Sequence, residues 1–195
     1  MKEIESKAWV FENDKARVLN FLKIHTKILQ SAKIKQDTMY SKADSSNNSK
    51  KPLVEFRLRT ENSDTNNMLY SVTRKTRSYT DLGTEVNNEL EFFVSNSQEF
   101  HDFALQLGYD VFYRKEKKVQ QFTINADGYD ILLEYVEISG LSKKGDLLEI
   151  EIVCDDSTTE KEVLVFEKEI IDIFKKLDLE NQIESAPYGK LLKMC

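Results

Sequence analysis

Lys2-Glu3-Ile4-Glu5-Ser6-Lys7-Ala8-Trp9-Val10 is the stretch on which the fold turns. Its alternation has the period of a β-strand, so Glu3, Glu5 and Lys7 share one face while Ile4 points to the other. Two carboxylates spaced in this way stand about 7 Å apart and repel each other unless cations lie between them. The arrangement recurs far downstream in Glu149-Ile150-Glu151. Acidic faces of this kind suit hard divalent cations, which prefer oxygen ligands.

Moving outward, the alternation predicts further strands over Leu53–Thr60, Met68–Thr76, Glu85–Val94, Val111–Thr123, Tyr129–Ile138 and Asp146–Val153. Same-sign pairs two residues apart mark several of them: Arg57/Arg59, Lys75/Arg77, Glu89/Glu91 and Lys115/Lys117. Solvated sheet faces usually mix signs across strands, and same-sign neighbours gain nothing by themselves. A helix is expected after Asn13 or Asp14, with Val18, Phe21, Leu22, His25, Ile28 and Leu29 as its apolar stripe. A second is expected to be capped near Ser97 and stopped by Gly108, and a third to open at a Thr159/Glu162 capping box and run to about Leu177. Tyr188 to Leu192 reads as one more helical turn, and Lys42 to Lys51 as a polar loop. If the helices cover the outside of a curved sheet, the charged faces point inward. The result is a closed antiparallel barrel of α+β class with a polar tunnel, whose buried charges need partners or ligands.

Bulk properties narrow the function classes. The chain has 195 residues, of which 40% are hydrophobic, enough for a buried core in one domain spanning 1–195. A net charge of −6 argues against a general nucleic-acid binder. Cys154 and Cys195 have no metal-type spacing, so free thiols in a reducing cytoplasm are expected. No apolar run reaches the length of a membrane span. His25 and His101 read as packing or surface residues, Trp9 and Phe11 as core anchors, and Gly128 and Gly140 as turn glycines.

The ordered motifs resemble the CYTH superfamily, the triphosphate tunnel metalloenzymes, over nearly the whole chain. Glu3-Ile4-Glu5-Ser6-Lys7 matches the family's Glu-x-Glu-x-Lys, and Gln36-Asp37-Thr38-Met39-Tyr40 echoes a stretch of its class IV adenylyl cyclase-like branch. Arg57-Leu58-Arg59, Thr73-Arg74-Lys75, Glu89-Leu90-Glu91, Lys115-Glu116-Lys117 and Leu147-Leu148-Glu149-Ile150-Glu151 follow in the family's order. The chain departs from the pattern at Asn87, where the family has arginine, and at Glu134, where it has aspartate. Its Gly140–Gly145 turn is enlarged, the glycine after Lys75 is missing, and Pro187-Tyr188-Gly189-Lys190-Leu191-Leu192 replaces the usual C-terminal motif.

The resemblance implies an eight-stranded tunnel with helices outside. It implies triphosphate binding by Arg57, Arg59, Lys75, Lys115 and Lys117. Magnesium or manganese would be held by Glu3, Glu5, Glu149 and Glu151, with Glu89 and Glu91 as further candidates. Lys7 and Glu134 take catalytic roles in this reading. The partner is ATP or another triphosphate, with no nucleic acid or membrane, and a homodimer is left open. Three outcomes compete: cyclisation of ATP to cyclic AMP and pyrophosphate, hydrolysis of tripolyphosphate, thiamine triphosphate or a nucleotide, and binding without turnover.

Overall fold

Residues 1–42, 54–62, 67–126 and 128–193 are described by a computed structural model, with the side chains of 29–31 outside that set. The alternating N-terminal stretch forms β1 (Lys2–Val10). It pairs antiparallel with β8 (Asp146–Cys154) on one side and β5 (Glu85–Phe93) on the other. The remaining strands are β2 (Lys27–Lys42), β3 (Phe56–Asn62), β4 (Met68–Tyr79), β6 (Tyr109–Ala126) and β7 (Tyr129–Glu137). All neighbours are antiparallel, and the order β1-β5-β4-β3-β2-β6-β7-β8 closes on itself as a barrel. Closure removes every sheet edge and gives each strand one inward and one outward face.

Helices α1 (Glu12–His25), α2 (Ser97–Gln106) and α3 (Glu160–Lys176) cover apolar parts of the outward faces, whereas outward Arg114, Glu116 and Lys118 of β6 and Leu90 of β5 are exposed. Ile4, Ala8 and Val10 of β1 meet Val18 and Leu22 of α1, Ile170 and Phe174 of α3, and Leu148, Ile150 and Ile152 of β8 in the main core. On the opposite wall, Tyr40, Leu58 and Val72 pack under Ala104 and Phe100 of α2. A third cluster is different in kind. Trp9, Val119, Val136 and Leu147 pack with Leu191 of the short α4 (Tyr188–Leu191). Trp9 donates its indole N–H to Glu184 at 3.0 Å. Opposite these apolar clusters, the buried charged residues Glu3, Lys7, Lys35, Asp37, Lys117 and Glu134 line the barrel.

Several boundaries differ from the expectations. Helix α1 begins at Glu12 because Asp14, expected as a cap, instead accepts the Phe11 backbone N–H from inside the first turn at 3.2 Å. Ile28 and Leu29 continue the helical spacing but lie in β2, since the chain turns extended at Thr26 and pairs with β6. Strand β2 itself was not anticipated from alternation. Asn96, one residue before Ser97, caps α2 by accepting from the N–H groups of Gln98 and Glu99. The Thr159/Glu162 capping box forms as expected. Of the Lys42–Lys51 loop, all but Lys42 lies outside the described residues, as do Leu53 and Cys195. No helix among the described residues is long and apolar enough to cross a membrane.

Phe174 is fully buried between α3 and the barrel, whereas Leu164 on the same helix is exposed. Phe174→Ala should cost about 3–5 kcal/mol of unfolding free energy in urea titrations, and Leu164→Ala close to nothing. Equal effects of the two substitutions would contradict this packing.

Candidate functional site

Strand register builds the acidic wall. Glu5 stands opposite Glu151 on β8 and Glu85 on β5, while Glu3 stands opposite Asn87. The carboxylates of Glu3, Glu5 and Glu151 come together, with one oxygen of each within 4.8 Å of the others. Burial, and then the nearby charge of Glu3, push the Glu151 carboxyl well above the ordinary range. Burial and Glu5 push Glu85 up to about 7. Lys75 reaches in from β4 and bonds Glu3 and Glu89, with Glu5 at 3.4 Å. Burial alone would lower the Lys75 pKa, but Glu5, Glu3 and Glu89 outweigh it and raise it. All three clustered donors are carboxylate oxygens, the ligand type that magnesium and manganese take and that softer metals do not select.

The basic wall lies across the interior on β2, β3 and β6. Asp37 is fully buried and bound bidentately by Arg59, at 2.7 and 3.0 Å, with Lys115 at 3.4 Å. Burial would raise its carboxyl, yet Arg59 and then Lys115 hold it well below the usual range. Deeper in, Glu134 accepts from Lys35, Lys117 and Gln121, and Lys117 also reaches Glu149 at 2.8 Å. Burial opposes ionisation of Glu134, but Lys117 and Lys35 keep it ionised. The basic residues outnumber what these carboxylates satisfy. Burial pulls Lys115 down to about 7, with Asp37 opposing, and Lys35 down to about 8, with Glu134 opposing. Arg57 donates to Thr73 at 2.9 Å and lies 3.8 Å from Glu91. Its buried Nε has no hydrogen-bond partner among the described residues. Arg57 and Lys75 open onto a small cavity of about 40 Å³ lined also by Met39, Phe56, Thr73 and Arg77. A cavity edged by charged donors, one of them unused, suits an anion with several oxygens.

One mouth of the barrel is closed from the C-terminal side. The Tyr188 ring lies 3.9 Å from Lys115 Nζ, with Lys117 and Lys7 at 5.5 and 6.0 Å, and its hydroxyl donates to Glu149. A cation over an aromatic face is held by the ring quadrupole, so Tyr188 keeps Lys115 in place where burial would otherwise disfavour its charge.

The expected site residues therefore divide. Glu3, Glu5 and Glu151 meet; Glu149 sits apart from that trio, bonded to Lys117 and Tyr188. Arg57, Lys75 and Glu89 adjoin the acidic wall, and Glu91 accepts from Thr73 at 2.7 Å. Arg59, Lys115 and Lys117 gather on the opposite side with Glu134. Lys7 is buried beside a second, much smaller cavity of about 10 Å³ with Glu5, Glu85 and Glu149. Lys35, Asp37 and Glu85 received no role in the sequence reading. Lys35 and Asp37 have the same spacing as the acidic and basic pairs, but with opposite signs, so the same-sign pattern passes over them. His101 meets Tyr40 at 2.7 Å outside the barrel, away from these groups.

No family model and no curated protein matches the chain. Solved structures do match over almost its full length. A Pyrococcus horikoshii protein, PH1819, superposes with a TM-score of 0.73 at 16% identity, covering 98% of both chains. A candidate adenylate cyclase from Vibrio parahaemolyticus gives 0.65 at 15%, covering 98% of this chain and 97% of that one. A candidate adenylyl cyclase from Hippeastrum, described as having a dominant triphosphatase activity, gives 0.54 at 14%, covering 98% and 94%. At these identities the likeness is one of fold: the neighbours share the closed eight-stranded antiparallel barrel with helices packed outside.

Lys115 near 7 and Lys35 near 8 would attract an anion in the interior only when protonated. With a chelator present, tripolyphosphate affinity measured by calorimetry should fall at least about tenfold between pH 6 and pH 9 as these protons are lost. A flat profile would remove both lysines from the anion site.

Proposed function

We propose that this protein is a divalent-metal-dependent enzyme acting on a nucleoside triphosphate held inside the barrel, cyclising ATP to cyclic AMP and pyrophosphate. The observation that carries the reading is one closed interior that holds a tricarboxylate cluster, with Lys75 reaching into it and Arg57 nearby, and a separate basic group of Arg59, Lys115 and Lys117. Glu3, Glu5 and Glu151 would hold magnesium or manganese, which when bound neutralises phosphate charge and polarises the reacting P–O bond. Arg57, Arg59, Lys75, Lys115 and Lys117 grip the phosphate oxygens, and Arg57 brings a donor that is otherwise unused. Most of the catalysis in phosphoryl transfer is such positioning and charge stabilisation.

The supporting residues divide the remaining work. Glu134, kept ionised by its lysines, orients Lys35 and Lys117 toward the anion and is in the protonation state of a general base. Glu149 and Tyr188 hold Lys117 and Lys115 from the closed end. Lys7 contacts phosphate from the β1 side.

Triphosphate hydrolysis is the second reading, supported by the dominant triphosphatase activity of the Hippeastrum neighbour. The same ligands serve both reactions, which differ in whether the ribose 3′-hydroxyl or water attacks phosphorus.

Incubation with manganese and, separately, ATP, tripolyphosphate and thiamine triphosphate, with products separated, tests the proposal. Cyclic AMP with pyrophosphate is the expected result. Orthophosphate without cyclic nucleotide would select hydrolysis, and tight binding with no turnover would leave a sensor. Chelation or Glu5→Gln should abolish turnover in either enzymatic case. Arg57→Ala should weaken triphosphate binding by about 1.5–3 kcal/mol, roughly tenfold or more, and wild-type affinity in that variant would place the anion elsewhere.

A further inference from the structure

Asn87 lies on the inner face of β5, directly across from Glu3, and is fully buried. Its amide nitrogen donates to Glu3 Oε2 at 3.3 Å. Its amide oxygen has no hydrogen-bond partner among the described residues. A buried polar atom left unpaired is costly, and a small apolar residue would avoid that cost at this position. An amide serving only as a counter-group to Glu3 would need its nitrogen alone. The orphaned oxygen is an acceptor held in reserve, and turning the amide would bring it to Glu3 and the neighbouring carboxylates.

Geometry identifies its kind. In an octahedral magnesium or manganese site with bonds near 2.1 Å, neighbouring ligand oxygens stand about 3 Å apart. Asn87 Nδ2 lies 3.3 Å from Glu3 Oε2. Half a turn of the amide about its Cβ–Cγ bond puts the oxygen where the nitrogen now is, at the spacing of two ligands sharing one ion. Without an ion, Glu3 needs donors, and it has them in Lys75 and the Asn87 nitrogen. With an ion, Glu3 needs co-ligands, and a neutral amide can switch roles where a permanently cationic side chain could not. Glu85, the other polar neighbour on β5, pairs with Arg77 at 2.8 Å while also standing beside Glu5.

We propose that the Asn87 side-chain oxygen is a fourth donor, beside the carboxylates of Glu3, Glu5 and Glu151, to a divalent cation. The assignment rests on the reading that this cluster takes such an ion, and it makes Asn87 a neutral ligand that sets affinity without adding charge.

The test is Mn²⁺ binding by the full chain in the absence of any triphosphate, followed by electron paramagnetic resonance or calorimetry. Asn87→Ala and Asn87→Leu should each bind Mn²⁺ about tenfold more weakly than wild type. Asn87→Asp, which retains an oxygen at the same reach, should bind at least as tightly as wild type. Glu5→Gln serves as the control for the carboxylate site. If Glu5→Gln loses affinity while the folded Ala and Leu variants stay within twofold of wild type, the Asn87 assignment is overturned and the metal site stands. If wild type itself binds no Mn²⁺, both fall. Thermal melts identify which variants fold, and the Asp variant, nearly identical in shape, still decides the matter should Ala and Leu not fold: affinity well below wild type would overturn the assignment.

Discussion

A closed barrel has only one way to accommodate strands that carry charges on every second residue. Their charges must be paired across the interior, because an isolated buried ion costs far more than the fold can supply. Asp37 between Arg59 and Lys115, Glu134 between Lys35 and Lys117, and Lys75 among Glu3, Glu5 and Glu89 are the pairings that meet this requirement. The rest of the architecture follows from them. With the polar faces committed inward, the apolar faces must be covered from outside, and α1, α2 and α3 do so.

The pairing is incomplete in a directional way. Three carboxylates cluster on the β1/β8 side with one lysine reaching in, and the basic side keeps an unused guanidinium donor and lysines whose charge is disfavoured by burial. Ion pairs retained only for stability tend toward full mutual satisfaction, since apolar replacements are often no worse. A surplus of negative charge on one wall and of positive charge on the other would be balanced by a cation and an anion bound together, as the proposed function requires. The closure of one mouth by Trp9, Leu147 and Leu191, with Tyr188 over Lys115, fixes the orientation of the basic side.

Most of this was legible in the alternating strands. The spacing of Glu3/Glu5, Arg57/Arg59, Lys115/Lys117 and Glu149/Glu151 announces strand faces, and the helical stripes around Val18 and Ile170 announce what covers them. Strand β2 was not legible, because Val18, Phe21, Leu22, His25, Ile28 and Leu29 keep helical spacing across a boundary that Thr26 breaks. Its inward residues Lys35 and Asp37 carry opposite signs, so no same-sign pair marks them. Glu149 and Glu151 look equivalent in sequence, yet one joins Glu3 and Glu5 while the other turns to Lys117 and Tyr188.

The sequence by itself determined which residues face inward, because side-chain direction along a strand is a local property with period two. It also determined the sign of each face and hence the kind of ligand the interior suits. Which carboxylate meets which, which lysine is spent on a neighbour, and which amide oxygen is left without a partner were decided only by tertiary structure. Those outcomes depend on cross-strand register and on the closing of the barrel, which bring residues such as Glu3 and Asn87 together across a large separation in the chain, and no local pattern encodes that distance.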